Sequence, residues 1–320
     1  MTPWIAVVVA TPEGFPLIRP VAVCLRAQTI RERIELLIVT PSAAAIDAGP
    51  EELEGFHSVR VVEAGPFLST GHAKAAGVRA ATAPLVAFIE EHSHPAPGWA
   101  ESFVRAHGGP WAAVGPSVVN PNPKLAISWA QLLMEYGPWI APAAAGEQAF
   151  LPGNNSCYKR DLLLHYGERL ESCLQVEYVL HRDMIAKGHR LYLEPAAVTY
   201  HLNVSRASSF LKVTFLSSRA FAAARARNWP VPKRLAMAAA SVLIPAVRLR
   251  RILATIRRIG RWKELAPRAL PWTAAGLIVS ATGEILGYLA GEGRSARYLM
   301  DVEFGRERHL AQGDCRTVFP

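Results

Sequence analysis

The chain has 320 residues, is 51% hydrophobic and 19% charged, and carries 35 Lys and Arg against 26 Asp and Glu, a formal net charge of +9. That composition excludes a disordered or low-complexity protein, and the lack of a Gly/Pro period or of sustained heptads excludes collagen and coiled coil. The charge is divided: residues 1–205 sum to −4 and residues 206–320 to +13, so the basic character belongs to the C-terminal third.

Met1-Thr2-Pro3 lacks the basic start of a signal peptide, and residues 5–9 read as a buried strand. Residues 17–28 then read as a helix, 34–39 and 59–62 as strands, 69–81 as a helix capped by Ser69, and 85–89 as a fourth strand. Continuous Val/Ile/Leu runs separated by helices predict an α/β open sheet, mainly parallel and covered on both faces. From 108 to 149 the pattern loosens, with repeated Pro, Gly and Asn. Residues 152–156 form a turn leading into a short helix, 174–187 read as one helix ended by Gly188, and 190–194 and 198–201 as two short strands. A long helix over about 205–227 and a Pro230-Val231-Pro232 break complete the ordered pattern.

Ligands of open α/β sheets bind outside the carboxyl ends of the strands. The residues there are Thr11-Pro12-Glu13-Gly14, Thr40-Pro41-Ser42 and Glu90-Glu91-His92. No G-x-G-x-x-G follows the first strand and no G-x-x-x-x-G-K-[S/T] occurs, so a Rossmann dehydrogenase and a P-loop NTPase are both excluded. Cys24, Cys157, Cys173 and Cys315 have no zinc-ligand spacing and read as reduced cytosolic thiols.

Five segments in order carry a resemblance: AQTIRERIELLIV at 27–39, GHAKAAGVRAATAPLVAFIEEH at 71–92, PAPGWAE at 95–101, PGNNSCYKRD at 152–161 and VEYVLHRDMIAKGHRLYLEPAAVTYH at 176–201. Together they are similar to family 2 glycosyltransferases of the GT-A fold, over roughly the first 200 residues. The resemblance implies a GT-A domain over 1–205, with a nucleotide-sugar-binding half at 1–115 and an acceptor half at 116–205. A helical C-terminal region follows at 206–320.

The family's Asp-x-Asp metal motif is matched here by Glu90-Glu91-His92. Read as an extended segment, it turns Glu90 and His92 to one site and Glu91 away. His201, at the matching strand end, would complete the metal site. A carboxylate with imidazoles suits a divalent cation bridging a diphosphate, and the softer imidazole favours Mn²⁺ over Mg²⁺. Glu177 takes the position of the catalytic base, a carboxylate that removes the acceptor proton during an inverting transfer. Asp183, two turns on, reads as a surface charge. Thr11, Pro12 and Glu13 occupy the position of base contacts, and Lys74 that of an Arg approaching the nucleotide. Thr40-Pro41-Ser42 replaces the family's acidic residues after the second strand, leaving the base identity open. Gly153, Asn154, Asn155 and Ser156 are expected to wall the donor sugar and acceptor. Trp139 is a stacking candidate, whereas Trp99 reads as core.

In the C-terminal third, Leu249, Ile252, Ile256 and Ile259 form one helical stripe beside Arg250, Arg257, Arg258 and Arg261, with Trp262 at the end. This predicts an interfacial helix on an anionic leaflet, and residues 233–290 become the membrane-associating region. Aromatic stacking residues are nearly absent there, which argues against nucleic acid. Residues 269–290 are long enough to span a bilayer, but Pro271 and Glu284 favour a re-entrant or monotopic hairpin, or a helix packed on the catalytic domain.

The expected protein is therefore a metal-dependent inverting glycosyltransferase on the cytoplasmic side of the cell membrane, peripheral or monotopic. It moves a sugar from a nucleotide-sugar donor to a glycan or lipid-linked acceptor in cell-surface polysaccharide or glycolipid synthesis. The competing reading is an inactive GT-A domain that binds nucleotide or glycan, or scaffolds a membrane assembly.

Overall fold

The computed structural model describes residues 2–314; Cys315 lies outside them. The chain forms two compact units. The first runs to Val119 and takes in Ala141–His201; the second comprises Asn120–Ile140 and, among the described residues, 202–314. The C-terminal region, expected from 206, thus starts at 202 and also takes 120–140, which the sequence reading assigned to the acceptor half.

The elements run β1 (Ile5–Ala10), α1 (Phe15–Arg26), β2 (Ile34–Thr40), β3 (Ser58–Glu63), α2 (Thr70–Ala80), β4 (Leu85–Ile89), β5 (Ser93–Pro95), α3 (Trp99–Ala106), β6 (Trp111–Val119), α4 (Ala126–Tyr136, in the second unit), β7 (Gly146–Gln148), β8 (Cys157–Lys159), α5 (Arg160–Leu164), α6 (Leu170–Gln175), α7 (Glu177–Ala186) and β9 (Arg190–His201). Among the described residues, nine strands make one mixed sheet in the order β3-β2-β1-β4-β8-β6-β9-β5, with β7 also on β9. The β3-β2-β1-β4 half is parallel; β8 joins it antiparallel to β4 and β6. Alternate residues of β1, β2 and β4 feed opposite cores. Ala6, Val8, Leu37 and Phe88 pack with α2, α6 and α7, while Ile5, Val7, Leu36 and Ile89 pack with α1 and α3. This is why the strands read as unbroken apolar runs.

Register aligns the carboxyl ends. Val9 pairs with Ile38 on one side and Ile89 on the other, so Thr11, Thr40 and Glu90 come to one edge of the sheet. Ser69 caps α2 by accepting from the His72 amide at 3.0 Å, a contact worth about 1 kcal/mol.

Three expectations change. The helix at 174–187 is two helices, because Val176 leaves helical geometry (φ −135°, ψ 88°). The two short strands after it are one strand. Its register against β6 jumps from Glu194–Pro116 to Val198–Ser117, so the gap at 195–197 is an irregularity and not an end. The loosely patterned stretch after 108 holds β6 and α4.

The second unit contains α8 (Ala207–Ala226), α9 (Val231–Ala240), α10 (Ile244–Arg258), α11 (Trp262–Ala290) and α12 (Ser295–Glu303). Residues 269–290 form no hairpin: they belong to the continuous 29-residue α11, which passes through Pro267 and Pro271. Length and apolar composition make α11 a candidate membrane span, but half of its most apolar window is buried. It packs along α8, where Cβ atoms on Gly283 and Gly287 would lie 2.4 Å from Phe215 O and 2.3 Å from Arg219 O. Only glycine allows that approach. The α10 stripe expected on a leaflet is also spent inside: Ile252 and Ile256 are buried, and Leu249 and Ile259 are half-buried. Of its basic face, Arg258 donates to the carbonyls of Gly137 and Ile140, and Arg261 pairs with Glu264.

Cys24, Cys157 and Cys173 are free thiols, and burial pushes Cys24 up to about 11.

Glu35, buried in β2, accepts from the Thr82 and Ala83 amides at 2.7 and 3.0 Å and from Arg60 at 2.6 Å. Burial opposes its ionisation, but these bonds outweigh it and hold the carboxyl below its ordinary range. This stabilisation is complete above the ordinary Glu value of about 4.3 and is lost as pH falls through the lower native value. Glu35→Ala, which strands the buried Ala83 amide and the partly buried Thr82 amide, should cost about 2–3 kcal/mol at pH 7 by urea denaturation, and less at pH 3.

Candidate functional site

Glu90 follows β4 directly, His92 precedes β5, and His201 ends β9. The antiparallel pairing of Ser93 with His201 brings the two histidines together. Nε2 of His92 lies 3.1 Å from Nε2 of His201, and each lies 3.7 Å from Glu90 Oε2. All three side chains are buried, and their ligand atoms fall within 4.8 Å of one another. A point equidistant from the three atoms lies about 2.0 Å from each, the ordinary length of a metal bond to nitrogen or carboxylate oxygen. The donor set of one carboxylate and two imidazoles fits a divalent transition metal.

The surrounding bonds suit the same use. Nδ1 of His92 is hydrogen-bonded to Glu91 Oε2, which places its proton on Nδ1 and turns the Nε2 lone pair toward His201 and Glu90; metal-binding histidines are commonly oriented in this way. Asn155 Nδ2 and Ser93 Oγ donate to Glu90 Oε2 at 2.7 and 3.1 Å. Glu91 therefore does not point away into solvent. The Ser93 amide bonds Glu90 O at 3.0 Å, so residues 90–93 turn where an extended segment was expected. Nothing in the residue pattern marks Glu91, because alternation along an extended segment is the wrong rule for a turn.

A second cluster is joined to the first by neighbouring residues. Lys74 Nζ, on α2, is bonded to Asn154 Oδ1 and to Glu177 Oε1. Lys74 is buried rather than solvated, and it faces Glu177. Glu177 is the first residue of α7, created by the break at Val176. Gln175 lies just before that break, and its Oε1 accepts from the Gly71 amide at 2.9 Å and from Thr70 Oγ1 at 3.1 Å. One helix, α2, thus touches both the side chain and the backbone setting of Glu177. His181 anchors α7 through Tyr158, whose hydroxyl lies 2.9 Å from its Nε2; burial lowers this histidine to about 3 and keeps it neutral. A Cβ on Gly153 would lie 2.3 Å from the Glu177 Cβ, so the close approach this glycine permits is to Glu177.

Several expected contacts are turned inward. Asn155 is spent on Glu90, and Ser156 Oγ donates to Pro152 O at 2.9 Å. Thr11 Oγ1 donates to Gly14 O at 2.7 Å and Thr40 Oγ1 to Ser42 O at 3.2 Å; both residues are fully buried. Pro12 is half-buried and Glu13 exposed. Trp99 is core. Trp139 lies edge-on to Tyr136 inside the second unit. Asp183 pairs with Lys187 at 2.7 Å, as a surface charge does.

No protein-family model matches the chain, and no curated protein matches it in sequence. Among solved structures it is similar to the mannosyltransferase PcManGT from Pyrobaculum calidifontis, in complex with GDP-Man and Mn²⁺. The TM-score is 0.51 at 18% identity, over 89% of this chain and 88% of that one. That likeness is one of fold. It spans nearly the whole of both chains.

The cradle generates a measurable expectation. Glu90→Ala or His201→Ala should abolish high-affinity Mn²⁺ binding, read from the free-ion electron paramagnetic resonance signal. Glu91→Gln and Asn155→Ala should leave the ligands in place and weaken binding about 10- to 100-fold.

Proposed function

We propose that the protein is a divalent-cation-dependent, inverting glycosyltransferase that uses a nucleotide-sugar donor. The observation that carries this reading is the buried Glu90, His92 and His201 tripod at the carboxyl edge of the sheet, in a fold shared with a mannosyltransferase solved with GDP-Man and Mn²⁺. A cation held there would neutralise the donor's diphosphate as it leaves. Two imidazoles in the set favour Mn²⁺ over Mg²⁺. Glu177 is the proton acceptor for the attacking hydroxyl. Lys74 holds that carboxylate in place, and its ammonium is suited to exchange Glu177 for a phosphate oxygen. Pro12, Glu13 and the backbone beside Thr11 and Thr40 edge the nucleoside end. Gly153 and Asn154 separate donor from acceptor; Asn155 and Ser156 support that wall from within.

In this reading the acceptor is a glycan or lipid-linked sugar of cell-surface polysaccharide or glycolipid synthesis. The enzyme works at the cytoplasmic side of the cell membrane as a peripheral or monotopic protein. The charge division supports it, since the +13 of residues 206–320 suits an anionic membrane surface. The ion pair between Lys74 and Glu177 favours one second reading, a domain that binds nucleotide without transferring sugar, because there the carboxylate stays neutralised.

Release of nucleoside diphosphate across a panel of nucleotide sugars, with Mn²⁺ and a mixed glycan and lipid-linked acceptor pool, tests the assignment. Glu177→Gln should lower kcat by about 10²- to 10⁴-fold with donor affinity retained, and Glu90→Ala should abolish metal-stimulated donor binding. Variants as active as the parent would refute these roles. Metal-dependent nucleotide binding without turnover by the parent would favour the second reading.

A further inference from the structure

Resting on the membrane reading above, we propose that the corner joining α9 to α10, residues 235–247, is the surface that enters the lipid bilayer. Its occupant is an anionic leaflet.

The corner is apolar where a soluble protein would be charged. Leu235, Val242, Leu243 and Val247 are 53%, 66%, 64% and 51% exposed, and the other exposed residues in the segment are four alanines. Ser241 is the single polar side chain, and it is buried with its hydroxyl bonded to Met237 O at 2.8 Å. Contiguous exposed apolar surface of this kind marks an interaction site.

The cations around it are graded along the helices. Val242 and Leu243, Ala246 and Val247, and Arg250 and Arg251 succeed one another at four-residue spacing, so they occupy one exposed face of the turn and α10. The arginines therefore begin about one turn, roughly 5 Å, beyond the last valine. On the other arm, exposed Lys233 stands two turns above the corner. The two cations that directly border the apolar zone are turned inward. Arg234 donates to the carbonyls of Tyr288 and Leu289 at 2.7 and 3.2 Å, and Arg248 to Ser280 Oγ and Met134 O at 2.8 and 3.1 Å. An apolar tip under a basic collar matches the layering of acyl chains beneath anionic headgroups, at the shallow depth of about 5–10 Å typical of interfacial elements. A protein partner of matching shape would have no need of the collar.

The test is co-sedimentation of the full chain with phosphatidylcholine vesicles, with and without phosphatidylglycerol, alongside size-exclusion chromatography. Circular dichroism checks that each variant is folded. Parent protein should sediment with both vesicle types and prefer the anionic ones. The double variant Val242→Asp with Leu243→Asp should lose at least tenfold in partitioning to both. Arg250→Glu with Arg251→Glu should lose the anionic preference, at about fivefold or more per residue. Ile278→Asp, on the exposed face of α11, should bind as the parent does. If the Val242/Leu243 variant sediments like the parent, the corner is the wrong surface while the membrane reading stands. If the parent sediments with neither vesicle, both fail. If the parent is a dimer, its Val242/Leu243 variant a monomer and vesicle binding equal in the two, the corner joins two copies and the proposal is overturned.

Discussion

Two histidines 109 residues apart in the chain meet at 3.1 Å because a three-residue strand, Ser93–Pro95, pairs with the end of β9. The first unit of the molecule is arranged to make that meeting possible. β4 must end where Glu90 begins, the chain must turn through Glu91 to bring His92 back, and β9 must arrive with His201 facing inward. The irregularity between Glu194 and Val198 sets that last phase. Four residues advance on β9 while one advances on β6, so three extra residues are inserted, and an odd insertion reverses which side chains face each way. A strand without that irregularity would present His201 to the opposite side.

Burying one carboxylate beside two imidazoles is unfavourable unless each remaining atom is satisfied or a cation is taken up. Glu91, Ser93 and Asn155 bond His92 Nδ1 and Glu90 Oε2, and the donor set is suited to taking up a cation. The short helical turn at Gly153–Asn155 links this cradle to the Lys74–Glu177 pair. Asn155 points to Glu90, whereas Asn154 points to Lys74 beside Glu177. Because α2 carries Lys74 and is also capped through Gln175, a change at either cluster reaches the other through a few bonds.

Much of this was legible in the residues because it depends on local rules. The buried parallel strands, the Ser69 cap and the positions at the strand ends follow from apolar runs and capping chemistry, and Glu90, His92 and His201 were named from motif order. What escaped depends on a local turn that breaks the extended pattern or on distant pairing. Glu91 reads as outward only if its segment is extended, yet a single bond from the Ser93 amide to Glu90 O turns it inward. Asn155 reads as a sugar ligand until the Glu90 carboxylate comes to lie against it. Val176 looks helical, yet it leaves helical geometry next to Gln175, which α2 holds through Thr70 and Gly71, and so Glu177 becomes a helix start. In the second unit the periodicity of α10 was real, but a stripe cannot say what it faces. Ile252 and Ile256 face the unit's own interior, and the exposed apolar surface lies at a corner whose alanines and valines carry little periodic signal.

The central claim is that Glu90, His92 and His201 together hold one divalent cation at a nucleotide-sugar site. Anomalous scattering at the manganese edge, from crystals grown with Mn²⁺ and a nucleoside diphosphate, tests it most directly. A single strong peak is expected at about 2.2 Å from Glu90 Oε2 and from both Nε2 atoms, with diphosphate oxygens completing its coordination. A peak elsewhere on the sheet edge, or a bound nucleotide with no peak between these three side chains, would contradict it.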